Sequence, residues 1–305
     1  MKEPILIVGA GAMACLFAAE LAQAGYAVIM LDRWRTGIQA LARHGVQVYD
    51  AAGQVRVFSV RAVSDPGEVG LAKLALVLVK SWQTETIAGW LKTCLTPDGL
   101  AVSIQNGLGN YETLLDALGI ERTSAAITTL GATQLGPAQV RVHSQGEIVL
   151  AQHARLAPLS ELLASAGFQV RITPDITGLL WGKLIINAAI NPITALLDVP
   201  NGRLLDLPDA RQLMSRLAAE TESVAGALGI QLPFANAMRQ IENVLQSTAE
   251  NSSSMRQDLG RGAPTEIDAI NGAITRYGEA CGVATPYNRA IWHLVRARAA
   301  IQRQA

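Results

Sequence analysis

The sequence predicts an α/β, Rossmann-like N-terminal domain with a mostly parallel sheet, followed by an all-helical C-terminal domain. Three observations carry this. A short apolar run, Ile5–Val8, leads through Gly9-Ala10-Gly11 into an apolar stretch of helical length. Strand-like and helix-like segments then alternate, the pattern of parallel strands joined by crossover helices. Around Pro174 the pattern changes, and beyond it only helical periodicity is found. The boundary that follows separates 1–172 from 173–305.

Each element has a local reason. Ile5–Val8 is apolar without alternation, as a strand covered on both faces must be. The helix after it runs from about Ala12 to Ala24, where Gly25 stops it. Ala27–Leu31 is a second buried strand ending at Asp32, and strand, helix and strand within about 30 residues make a βαβ unit. Leu74–Val79 is a strand ending at Lys80, Thr84–Cys94 reads as a helix, and Pro97-Asp98-Gly99 is a turn. Leu100–Ile104 is a strand ending at Gln105, Asn106 and Gly107, and further strands fall near 124–130, 139–143 and 147–151. The second half predicts helices at 176–198, 208–229, 233–249, 264–281 and 285–303.

Composition narrows the function classes. Half of the 305 residues are hydrophobic and 16% are charged, which supplies a sizeable core and excludes a disordered chain. Lys plus Arg equals Asp plus Glu at 25 each, so no basic excess points to nucleic acid or to a membrane surface. Cys15, Cys94 and Cys281 are far apart and show neither metal spacing nor a disulfide framework, so no metal is expected and a reducing, cytoplasmic compartment is. The run ILIVGAGAMACLFAAELA has the length of a signal segment, but Glu3, Pro4 and its glycines argue against one. No other run is expected to span a bilayer.

Gly9-Ala10-Gly11-Ala12-Met13-Ala14 lies where a strand passes into a helix. The first glycine allows the tight turn and the second lets the backbone approach a pyrophosphate, which would sit on the helix N-terminus among unpaired N–H groups. Ala14 stands at the third glycine position, a mild departure. Dinucleotide binding is expected ahead of a merely structural turn. Asp32, 18 residues after Ala14, is near where a carboxylate would hold the ribose 2′-hydroxyl of NAD. Arg33 and Arg35 follow and could hold the 2′-phosphate of NADP, so the two signals conflict; all three could also simply solvate a loop. Lys80 and Asn106 stand at strand ends, where an open parallel sheet lines its ligand crevice.

Lys183, Asn187 and Asn191 recur every four residues within GKLIINAAINPITAL, so on a helix they form one polar stripe among Leu184, Ile185, Ile186, Ala188, Ala189 and Ile190. Pro192 should kink or tighten the chain just after Asn191. A helix apolar on most sides is buried, and its polar groups must find partners. Two readings stay open: a satisfied core network with Lys183 reaching solvent, or a functional lysine whose desolvation brings it toward neutrality as a general acid. In a helix begun at Pro264, Glu266 would share a face with Ile270, Ala273, Ile274 and Tyr277 and point inward. A first-turn carboxylate would also complement the helix dipole.

With these residues in view, the chain resembles the ketopantoate reductase family over essentially its whole length. The resemblance rests on the glycine turn, VKSWQTE (79–85), QNGLGNYE (105–112), GKLIINAAINPITALLDVPNG (182–202) and SSMRQDLGRGAPTEIDAING (253–272). It implies NAD(P)H-dependent reduction of the 2-oxo group of ketopantoate to pantoate, on the route to pantothenate and coenzyme A. By the resemblance Lys183 is the general acid and Glu266 the carboxylate at the reacting centre, which also touches the cofactor. Asn187, Asn191, Asn201, Ser254 and Asn106 face the substrate. Lys80, Gln83 and again Asn106 face the cofactor beside Gly9 to Ala14, and Arg33 matches the family's 2′-phosphate arginine. NADP is therefore the expected cofactor, with NAD left open by Asp32. Three rivals stand: a reductase of another branched or aromatic 2-oxo acid, a catalytically silent dinucleotide sensor, and a dehydrogenase of sugar acids or β-hydroxyacids, against which TEIDAING speaks. The partner expected is a small-molecule oxo acid, not nucleic acid or membrane, and the long helices are compatible with a homodimer.

Overall fold

The computed structural model describes residues 3–50, 52–144 and 146–304. The chain divides into two compact units, one of residues 1–105 and 110–176, the other of 106–109 and 177–305.

The first unit is built on an eight-stranded sheet. In chain order its elements are β1 (Ile5–Val8), α1 (Ala12–Gln23), β2 (Val28–Leu31), α2 (Arg35–His44), β3 (Val46–Tyr49), β4 (Val55–Phe58), β5 (Arg61–Val63), β6 (Ala72–Val77), α3 (Thr84–Cys94), β7 (Leu95–Ser103), α4 (Asn110–Leu118), β8 (Thr123–Thr128), β9 (Gly131–Gly136), β10 (Gln139–Ser144), β11 (Glu147–Ala151), α5 (Ala157–Ser165) and β12 (Gln169–Thr173). The large sheet has the order β12-β11-β8-β7-β6-β1-β2-β5, and its paired strands are parallel except β11 against β8. β1 and β6 are neighbours although far apart in sequence, so the strand order reverses there; that switch point opens a ligand crevice at the carboxyl ends of the strands.

A second sheet, β4-β3-β10-β9, covers the other side of α1. That placement explains why α1 is buried along nearly its whole length, with Phe17 and Leu21 inaccessible and Phe17 stacked on Phe168 at 4.8 Å. Strands β3, β4, β5, β9 and β12 are additional to those the sequence predicts; none is buried along its whole length, and β4 leaves Val55 and Val57 exposed, so no continuous apolar run marks them. The strand expected at 74–79 ends at Val77, so Lys80 lies three residues beyond it, at the start of a 3-10 turn Ser81–Gln83.

The second unit holds α6 (Thr177–Leu197), a 3-10 segment Asn201–Asp206, α7 (Pro208–Ala227), α8 (Ala237–Ser247), α9 (Ser254–Gly260), α10 (Asn271–Cys281) and α11 (Pro286–Gln304). α6 passes through two apolar clusters at once: Trp181, Leu184 and Ala188 belong to one, Ile185, Ala189, Ile190 and Ile193 to the other. Burying each large aliphatic side chain contributes about 1.5–3 kcal/mol, which is why α6 is apolar all round. By length and composition it could cross a membrane, contrary to the expectation that no such run exists, but most of it is buried inside this unit. The helix also continues through Pro192.

The helix expected from 264 begins only at Asn271. The Ala269 carbonyl, which would accept from residue 273 in a longer helix, instead accepts the N–H of Leu108 at 2.9 Å. Glu266 sits in the turn before this helix, its own carbonyl accepting the N–H groups of Ala269 (3.0 Å) and Ile270 (3.1 Å). The seven-residue α9 lacks an apolar repeat long enough to read, and Ser253 caps it by accepting the Arg256 N–H at 3.1 Å.

Candidate active site

The glycine turn divides its labour between its two glycines. Gly9 has φ +134°, and a Cβ there would lie 3.1 Å from the backbone C and O of Leu78, so the turn packs directly on the chain leaving β6. Over Gly11 a Cβ would meet nothing within 4 Å. Gly11 caps α1 without a side-chain bond, and no acidic residue stands in the first turn. The space and the first N–H groups of α1 therefore suit a pyrophosphate, whose charge the helix terminus favours. Ala10 and Ala14 are wholly buried, Ala14 filling the position of the third glycine with the smallest side chain, while Ala12 and Met13 are partly buried against the same core.

Asp32 is buried, and both carboxylate oxygens accept main-chain donors: Ala10 N–H on Oδ2 at 2.7 Å and Trp34 N–H on Oδ1 at 2.9 Å. It ties the glycine turn to the chain leaving β2. Burial, reinforced by the Asp32 charge, pushes the Cys15 thiol up to about 12, so Cys15 is an inert core residue. Arg33 and Arg35 are exposed.

At the switch point the Gln83 side chain accepts the Lys80 N–H at 3.3 Å, and the Gln83 N–H returns to the Lys80 carbonyl at 2.9 Å. Behind them Gln105 donates to the Val79 carbonyl (3.0 Å) and to Thr84 Oγ1 (2.8 Å), and accepts from Ser103 Oγ (2.9 Å). This satisfied buried network fixes the loop carrying Lys80 and Gln83.

In the second unit the polar stripe lies on α6 with Asn191 buried and Lys183 and Asn187 partly buried. Burial pushes the Lys183 ammonium down to about 8, while the Glu266 carboxylate pulls the other way without cancelling it. Glu266 itself is only 5% exposed. Gly182 lets α6 approach the following loop closely, since a Cβ there would lie 2.7 Å from Pro233 Cγ.

Two clips bring further residues to this helix. Gly107, at φ +81°, presses on the Glu266 turn so closely that a Cβ would stand 2.5 Å from the Ala269 oxygen. Together with the Leu108–Ala269 bond this places Asn106 beside that turn, in the second unit and not with the strand before it. At the other end, Thr194 Oγ1 lies 2.7 Å from Ser253 Oγ, next to Ser254 at the start of α9. The same 248–253 segment holds Asn201: its N–H donates to the Asn251 carbonyl and its Nδ2 to Thr248 Oγ1, both at 3.0 Å. Asn201 Oδ1 is buried without a partner among the described residues. Sequence reasoning passed over Ser253, whose place in a three-serine run before a helix is a capping signal, and Asn271, a wholly buried amide inside the quoted TEIDAING.

Family descriptions for ketopantoate reductase PanE/ApbA match residues 5–155, and those for its C-terminal part match 175–299. The 2-dehydropantoate 2-reductase of Pyrobaculum aerophilum is 36% identical over 292 residues, 96% of this chain and 96% of the relative. The crystal structure of a PanE/ApbA family ketopantoate reductase from Ralstonia eutropha JMP134 is similar with TM-score 0.91 and 35% identity, covering 98% of this chain and 99% of that one. A ternary structure of D-mandelate dehydrogenase with NADH and anilino(oxo)acetate is similar with TM-score 0.93 and 27% identity, covering 98% of this chain and 99% of that one. Rossmann-type sheet, glycine turn and helical second unit agree with what these comparisons give: the chain belongs to the ketopantoate reductase family of oxidoreductases.

Proposed function

We propose that this protein reduces the 2-oxo group of ketopantoate to pantoate with a reduced nicotinamide dinucleotide, the reductive step toward pantothenate. The observation that carries the reading is Lys183: an ammonium in the polar stripe of an otherwise apolar helix, brought by burial to about 8 against the pull of the Glu266 carboxylate. Relatives named 2-dehydropantoate 2-reductase support the substrate.

A bound reduced nicotinamide supplies the hydride. As negative charge builds on the carbonyl oxygen, Lys183 stabilises it and gives up its proton, later regained from solvent; an acid near neutrality does both readily. Glu266 keeps the ammonium oriented and offsets its desolvation. Ser254 takes the substrate carboxylate, and the amides of Asn106, Asn187, Asn191 and Asn201 orient the rest of the molecule. The buried Asn201 Oδ1 supports an acceptor role toward a substrate hydroxyl.

For the cofactor, Gly9 to Ala14, Lys80, Gln83 and Arg33 are assigned to binding, and NADPH is the proposed donor through Arg33. Asp32 already holds two main-chain donors, which supports a role in shaping the turn. Asp32→Ala is expected to weaken NADH and NADPH binding by similar factors, and Arg33→Ala to weaken NADPH alone. Titration of cofactor fluorescence checks both; an NADH-only loss in Asp32→Ala would make this carboxylate a ribose ligand.

A second reading has its own observation, the likeness to D-mandelate dehydrogenase with NADH, which favours an aromatic 2-oxo acid. Initial rates of NADPH and NADH oxidation with ketopantoate and with phenylglyoxylate, the oxo acid of mandelate, decide between them. Ketopantoate is expected to be preferred by at least about tenfold in kcat/KM, since an ill-fitting side chain costs roughly 1–3 kcal/mol. Faster phenylglyoxylate reduction would transfer the substrate assignment; cofactor binding without turnover of either would leave a sensing protein.

A further inference from the structure

We infer that Asn271 is a positioning residue for the helix that carries Lys183: its side-chain amide serves the backbone carbonyl that Pro192 leaves without a donor. Pro192 has no N–H, so in α6 the carbonyl of Ala188, four residues earlier, has no helical partner. Ala188 is fully buried, and water cannot take the donor's place. Asn271 Nδ2 donates to this carbonyl at 3.1 Å.

The same amide group reaches further. Asn271 Nδ2 also donates to Asn288 Oδ1 at 2.9 Å, and Asn288 Nδ2 donates to Glu220 Oε2 at 2.8 Å and to the Leu217 carbonyl at 3.2 Å. Both asparagines are 0% exposed. One continuous chain of hydrogen bonds thus links α6 to α10, α11 and α7 at the point where proline weakens the ladder of α6. That point lies between Asn187 and Asn191, so whatever grips Ala188 sets how the two halves of the stripe are aimed. Asn271 is also five residues after Glu266, which joins the Lys183 helix to the segment delivering its carboxylate.

A double-mutant cycle tests this on the full chain. In a Pro192→Ala background residue 192 regains an N–H, and the Ala188 carbonyl no longer needs Asn271. Asn271→Leu alone is expected to lower kcat by about 10- to 100-fold, to move the alkaline limb of the kcat profile, and to leave cofactor affinity unchanged. In the Pro192→Ala background the same substitution should cost markedly less in both kcat and thermal stability. Independent, multiplying losses would overturn the inference, as would an unchanged kcat profile. If Asn271→Leu does not fold, Asn271→Asp, equal in size but without the amide donor, enters the same cycle. The functional half rests on Lys183 as the acid. Should the enzyme prove inactive on every oxo acid, the stability cycle still decides the Pro192–Asn271 coupling, so the two failures are distinguishable.

Discussion

Lys183→Met is expected to lower kcat by about 10²–10⁴-fold, the usual worth of a general acid, and at the same time to raise the melting temperature at neutral pH. The two effects share one cause. Burial holds the folded-state ammonium down to about 8 from 10.5, and that net direction already includes the opposing pull of Glu266. Below about pH 8 Lys183 is protonated in folded and unfolded chains alike, and the folded state bears the full cost of the buried charge. Between about 8 and 10.5 the unfolded chain holds the proton and the folded chain does not, so this group's contribution to stability rises with pH. A neutral, similarly long methionine removes the cost, on the order of a few kcal/mol at pH 7, and its advantage shrinks as pH climbs toward 10.5. In the unmutated enzyme kcat for reduction should be flat below about pH 8 and fall above it as the acid loses its proton. Stopped-flow rates and calorimetric melts across pH 6 to 10 check both effects. Near-normal kcat in Lys183→Met would end the general-acid assignment, and a lowered melting temperature would mean that the ammonium is net stabilising.

Gly107→Ala is expected to destabilise the protein by about 2–5 kcal/mol. A side chain at φ +81° costs about 1–2 kcal/mol, and overpacking a tight contact about 1–3 kcal/mol more, because the new Cβ would stand 2.5 Å from the Ala269 oxygen. The oxygen belongs to the turn that holds Glu266, so kcat should fall as well. Gly109→Ala is the internal control: its φ is +94°, but its Cβ direction is open to 4 Å. It should show the conformational cost alone, with little loss of turnover. Urea unfolding of the two variants separates the effects, and equal losses would show that the contact with Ala269 contributes nothing.

Local chemistry made some of the molecule legible. The β1–α1–β2 unit was readable because buried parallel strands are apolar on both faces and because a glycine must stand where φ is positive and a backbone lies close. Helix α6 and its polar stripe were readable because a period of four on an apolar background has one geometric solution. The turn at Glu266 was not. Pro264 and an apolar spacing argue for a helix, yet the chain forms a turn there and the helix begins only at Asn271, with the Ala269 carbonyl accepting from the Leu108 N–H, more than 150 residues away in sequence. Glu266 is buried, as an inward-facing residue should be, but through a turn and not a helical face.

By itself, then, the sequence determined the two architectures, the glycine turn with its uncapped helix and the membership of Lys183, Asn187 and Asn191 in one polar stripe, all set by periodicity and backbone sterics among near neighbours. Tertiary structure alone decided that Asp32 grips the glycine turn, that Asn106 belongs with the helical unit, that a turn and not a helix carries Glu266, and that Asn271 serves the carbonyl orphaned by Pro192. Each of these is a polar group or a charge whose partner lies far away in sequence. A buried N–H, carbonyl or ion must be matched, but the chain's order does not say by whom; that is settled only when packing brings the two together.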